Sequence, residues 1–97
     1  MIIVHDIFVC KPGMASKFAK KFKEAMAGRP EVVNIMSDMT GQYNRVIMVS
    51  SYESLSAYEQ FFEQYTQKTE EVEKQMAAME GYHDMYLTGC REIYKTW

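Results

Sequence analysis

The chain has 97 residues, 47% of them apolar and 25% charged, a mix that excludes a fibrous or disordered protein and suits one domain spanning residues 1–97. Its net charge of −2, from 11 Lys and Arg against 13 Asp and Glu, supplies no field that would gather nucleic acid or an anionic membrane. No apolar run approaches the roughly 20 residues that a membrane span needs.

Residues 2–10 are rich in β-branched and aromatic side chains and run into Lys11-Pro12-Gly13, which predicts a strand ending in a turn. Residues 14–28 place Met14, Phe18, Phe22 and Met26 four apart, with lysines between them, which predicts an amphipathic helix stopped at Gly28. Residues 31–39 and 43–50 read as two strands of a hairpin turning at Thr40-Gly41-Gln42. Residues 53–79 read as one long helix. Its seam is Leu55, Tyr58, Phe62, Tyr65, Thr69, Val72, Met76 and Met79, at alternating spacings of three and four. Glu70 and Lys74 sit four apart on the exposed side of that helix, Gly81 ends it, and residues 83–95 form the last strand.

The order β-α-β-β-α-β repeats strand–helix–strand. With right-handed crossovers it predicts an α+β, ferredoxin-like antiparallel sheet of order 4-1-3-2, with two helices on one face. The helices differ in charge. Lys11 to Arg29 holds six positive residues and one negative, and Glu53 to Glu80 holds seven negative and two positive, which reads either as two solvated faces that happen to differ or as a bias that helps the two to pack.

Two helices cover one face of a four-stranded sheet, and the other should then be polar. Here both faces carry apolar residues. Ile3, Ile7 and Val9 oppose Val4, Phe8 and Cys10; Ile47 and Val49 oppose Val46 and Met48; Met85, Leu87 and Ile93 oppose Tyr86 and Tyr94. Leaving about five such side chains bare would forfeit roughly 1.5–3 kcal/mol each. A homodimer packed sheet to sheet is the expected remedy.

Cys10-Lys11-Pro12-Gly13, followed by Phe18, Phe22 and Glu24, resembles the Lys-Pro-Gly turn and Phe-bearing first helix of the NIPSNAP family. Gly41-Gln42-Tyr43-Asn44-Arg45-Val46 and Tyr52-Glu53-Ser54-Leu55 resemble that family's hairpin and the tyrosine opening its second helix. The resemblance implies the dimeric α/β-barrel group, which includes antibiotic-biosynthesis-type and heme-degrading monooxygenases. The chain departs from the family pattern at Asp6, where the family carries Arg, and at Met48 and Ser50, where it carries His and Trp. The second helix has no His and the only Trp is Trp97, so the residues that the heme-degrading relatives use are missing.

Asp6 interrupts an apolar strand on the face of Val4 and Phe8 and needs a partner, for which Arg45, Asn44, Tyr86 and Arg91 are the candidates. It reads either as a structural ion pair or as a polar anchor in a cleft between sheet and helices. His5 points the other way, toward the expected dimer interface. His83 and Asp84 are adjacent and form no dyad. Two isolated His and two isolated Cys give no metal-ligand spacing, and no glycine-rich phosphate loop or nucleophile elbow occurs, so no metal or cofactor is expected.

The sequence therefore supports two functions. One is a dimer with an apolar cleft for a small apolar or aromatic ligand, lined by Asp6, Phe8, Asn44, Met48, Tyr52 and Tyr86. Its enzymatic version resembles cofactor-free monooxygenation, with Asp6 as base or anchor, Asn44 and Tyr86 as polar donors, and Phe8, Met48 and Tyr52 as walls. The other is a non-catalytic interaction or assembly module of NIPSNAP type. The N-terminus reaches His5 and Asp6 too soon to read as a secretory signal, so a cytoplasmic location is expected. Cys10 and Cys90 are expected there as small core thiols rather than as a disulfide.

Overall fold

A computed structural model describes residues 1–67 and 69–97, with Tyr65 described in its backbone alone. The elements in chain order are β1 (Ile2–Cys10), α1 (Ala15–Ala25), β2 (Val32–Ser37), β3 (Arg45–Tyr52), α2 (Leu55–Glu63), a 3-10 turn (Gln64–Thr66), α3 (Glu70–Ala78), a second 3-10 turn (Tyr82–Asp84) and β4 (Tyr86–Lys95). The four strands form one sheet in the order β2-β3-β1-β4. All of its pairings are antiparallel. This is the 4-1-3-2 ferredoxin-like arrangement read from its other edge.

The single helix expected over residues 53–79 is two helices. Gln67 and Thr69 are both extended, with ψ of 131° and 158°. The Thr69 hydroxyl accepts from the Val72 N–H at 3.2 Å and caps a fresh helix start. Glu70, Glu71 and Glu73 follow in its first turn, where the positive end of the helix dipole favours acids. The break rotates the buried face. Phe61, Val72 and Gln75 are buried, while Leu55, Phe62 and Met76 of the expected seam stay substantially exposed. The Tyr65 side chain of that seam, and Lys68, lie outside the described residues.

On α1 the four-residue spacing does bury Phe18 and Phe22. Phe18 rests on Cys10 and Val46, with Phe8, Met48 and Tyr86 packed around them. Ring centroids of 4.9 Å for Phe8–Phe18 and 4.8 Å for Phe18–Phe22 place these aromatics in tilted contact. A second cluster joins Val4, Tyr52 and Phe61. Tyr52, expected at the start of a helix, is the last residue of β3, and Ser54 caps α2 by accepting from the Ala57 N–H at 3.1 Å.

The charge difference between the helices is bridged at Arg29. It donates to the side-chain carbonyls of Gln64 and Gln75, at 3.1 Å each, and lies 3.8 Å from Glu71. The face away from the helices carries Ile3, His5, Ile7 and Val9 of β1, half-buried, beside Ile47 and Val49 of β3. Met36 and Tyr94 join them from the neighbouring strands.

β4 departs from the expected alternation. Val9 pairs with Thr88 but Cys10 pairs with Tyr86, so Leu87 is the extra residue of a bulge. A bulge reverses side-chain parity beyond it. Tyr86 and Ile93, opposed by simple alternation, therefore share the helix-covered side, and Tyr94 takes the open side. Cys10 is buried as expected. Cys90 is an exposed free thiol on the open face rather than a core residue.

Candidate functional site

β1 is a central strand, and its even-numbered residues meet the helices. That placement carries Asp6 into the covered layer between the two apolar clusters, 7% exposed. β4 lies beside β1 with Arg91 opposite Asp6, and the Arg91 Nε donates to Asp6 Oδ1 at 2.6 Å. Arg91 is thus the partner among the four candidates. Arg45 instead bonds Asp38 at 3.5 Å.

The Arg91 guanidinium lies over two rings of α2, 4.8 Å from the Phe62 centroid and 5.8 Å from that of Tyr58. Burial pulls its pKa down, but the hydrogen bond to Asp6 and that group's charge outweigh this and raise it. Tyr58 is pushed up to about 12, first by burial, with Arg91 pulling down and the Asp6 charge pushing up. The Tyr58 hydroxyl and the Ser50 Oγ are both buried without a hydrogen-bond partner among the described residues. By spacing alone Tyr58 and Phe62 belong to a core seam, and Ser50 stands out in the sequence only as a departure from a family motif. The sequence signal that would have singled them out is their position beside Asp6, which needs the fold.

The six residues expected in one cleft are spread along the helix-covered side. Met48 pairs directly with Asp6 on β3. Phe8 and Tyr86 form the aromatic wall on one side, 5.2 Å apart. Tyr52 lies on the other side, 4.9 Å from Tyr58 and 5.4 Å from Phe61. Asn44 sits beyond the end of β1 in the hairpin loop. It has a left-handed φ of 63°, and its carbonyl accepts from the Cys10 N–H at 2.7 Å.

Asp6, Met48, Tyr58, Phe62 and Arg91 therefore form one local group, and Asn44 stands apart from it. Of the six, Tyr52 lines a groove of about 320 Å³ beside Gln60 and Phe61. His83 lies in the 3-10 turn before β4 rather than in the strand. Among the described residues no group of three or more His, Cys, Asp or Glu could hold a metal ion, and no helix is long and apolar enough to cross a membrane.

No protein-family model and no curated protein match the chain by sequence. Solved structures do match in three dimensions. An uncharacterised NIPSNAP domain protein from Burkholderia xenovorans superposes with a TM-score of 0.80 at 12% identity, covering 100% of this chain and 95% of that one. The chain shares its fold with NIPSNAP domain proteins. A NIPSNAP family protein from Agrobacterium tumefaciens gives a TM-score of 0.78 at 13% identity, over 97% of this chain and 90% of that one. A protein assigned to the antibiotic biosynthesis monooxygenases, from Nitrosomonas europaea, gives 0.68 at 12%, over 99% and 98%. The NIPSNAP-like architecture and its kinship with the monooxygenase fold, expected from the turn and hairpin motifs, are thus present at the level of the fold.

Proposed function

We propose that the protein is a cytoplasmic, single-domain homodimer that packs its open sheet faces together as a dimeric α/β barrel. Each subunit binds one small planar organic molecule between its sheet and α2. The observation that carries the ligand reading is the Asp6–Arg91 pair. A carboxylate and a cation stand at the meeting of two apolar clusters, beside two aromatic rings and the unpartnered Tyr58 hydroxyl. Buried polar groups left without partners are costly, and a ligand oxygen would satisfy them.

The chemistry such a site suits is cofactor-free oxygenation of an electron-rich phenol or quinol. The substrate itself reduces oxygen, Asp6 anchors it or takes its proton, and the surrounding apolar walls exclude water. A fold neighbour named as an antibiotic biosynthesis monooxygenase supports the catalytic half of the reading. The free thiols of Cys10 and Cys90 suit a reducing compartment.

A non-catalytic assembly module is the second reading. The observation in its favour is that Asp6 is buried and closed off by Arg91.

Anaerobic calorimetry with 1,4-dihydroxynaphthalene, followed by oxygen-electrode measurements on admitting air, separates the two. Saturable binding that weakens about tenfold in Asp6→Asn, with oxygen consumption above the uncatalysed rate, is the expected result. Equal behaviour of wild type and Asp6→Asn in both measurements would leave the assembly reading.

A further inference from the structure

Away from Asp6, α1 and α3 leave a gap between their C-terminal ends. The four-residue spacing of Phe22 and Met26 turns both toward α3, and the three-residue spacing of Met76 and Met79 turns both back. Gly81, with a φ of +81°, reverses the chain just past α3. The reversal brings Tyr82 over the end of the gap, its ring 6.2 Å from that of Phe22 and 3.9 Å from that of His83. The result is a cleft of about 440 Å³ walled by thioethers and aromatic faces. No strand residue lines it, so it is separate from the Asp6 group.

We infer that this cleft is a second binding site, for an uncharged planar aromatic molecule of two or three fused rings. Its volume lies within the range of small-molecule pockets. Three methionines, unbranched and polarisable, adapt to a flat ring and gain from sulfur–aromatic contact. Met76 stays 65% exposed on a helix that buries Val72 and Gln75 beside it, so apolar surface faces the opening with its packing unmade.

Charge selects further. The cleft lies at the C-terminal ends of two helices, where the dipoles are negative, and Glu80 stands at its rim. An anion is repelled there, and an apolar lining penalises the burial of any charge. Burial also raises the Tyr82 pKa, which keeps its phenol neutral.

The nine methionines make the inference testable, because they report from different places. Met26, Met76 and Met79 line the cleft, Met48 lies beside Asp6, and Met36 lies on the open sheet face. In protein carrying 13C-methyl methionine, 2-naphthol is expected to shift the Met26, Met76 and Met79 methyl resonances saturably, with Met36 and Met48 unmoved. The anion 2-naphthoate should bind about tenfold more weakly, and Met76→Glu, at an exposed position, should weaken 2-naphthol about tenfold with the circular dichroism spectrum unchanged. Shifts centred on Met48 or Met36, no saturable shift at millimolar naphthol, or an affinity untouched by Met76→Glu would each overturn the inference. A response at Met48 would at the same time favour the Asp6 site.

Discussion

Asp6 brings a charge into a strand that is otherwise apolar, and the neighbouring strand answers with Arg91. The need for a partner was legible in the sequence, since a carboxylate among Val4 and Phe8 cannot stay alone. Which partner it takes was not, because that depends on β4 lying beside β1 in a particular register. Tyr58 was hidden for the same reason: its spacing marks a core residue, and its hydroxyl gains meaning only beside the ion pair. That hydroxyl has a measurable consequence. Its pKa of about 12 exceeds the ordinary value of 10.0, chiefly through burial. Below pH 10 folded and unfolded chains both hold the proton. Between pH 10 and about 12 the unfolded chain releases it while the folded chain keeps it, so stability falls as pH rises through that window. Urea midpoints of wild type and Tyr58→Phe, compared at pH 9 and pH 11.5, should show the wild type losing more. An unchanged difference between the two proteins would show that Tyr58 does not ionise late.

The break between α2 and α3 is decided by one short motif. The apolar spacing runs unbroken from Leu55 to Met79 and favours a continuous helix, yet Thr69 followed by Glu70, Glu71 and Glu73 is a helix start. Capping and dipole energies act locally and outweigh a seam that would otherwise bury Thr69 itself. Thr69→Ala should therefore cost about 1 kcal/mol and lower the melting temperature by roughly 4–8 °C, read by thermal unfolding. A melting temperature unchanged within a degree would mean that the cap is not what holds the start of α3. Strand order, by contrast, was fully legible, because alternation and turn residues place all four strands and the crossover rule then arranges them. The facing of β4 was not, since a bulge at Leu87 leaves no clear mark in the residues on either side of it.

At the scale of the molecule, the open face is the feature that calls for a partner. Ile3, Ile7, Val9, Ile47 and Val49 share the open side of two adjacent central strands, with His5 among them, its ring edge to face with that of Tyr94 at 5.3 Å. A second copy would bury on the order of 800 Å² per partner, as stable interfaces do. Sedimentation of the wild type at micromolar concentration is expected to show a dimer, and Ile47→Lys, which places a charge at the centre of that face, a folded monomer. A wild type that sediments as a monomer would remove the paired-sheet assembly. Both faces of the sheet were readable as apolar from alternation alone, but the two-cluster interior was not, because it arises from where the helices land.

The Asp6–Arg91 bond joins residues 85 positions apart. β1 lies between two strands that are made after it, and β4 is the last of the four to be made. During synthesis, the carboxylate is without this partner until Arg91 has emerged. The docking of β4 thus covers that edge of β1 and neutralises the charge in a single event, which makes it the step on which burial of Asp6 depends.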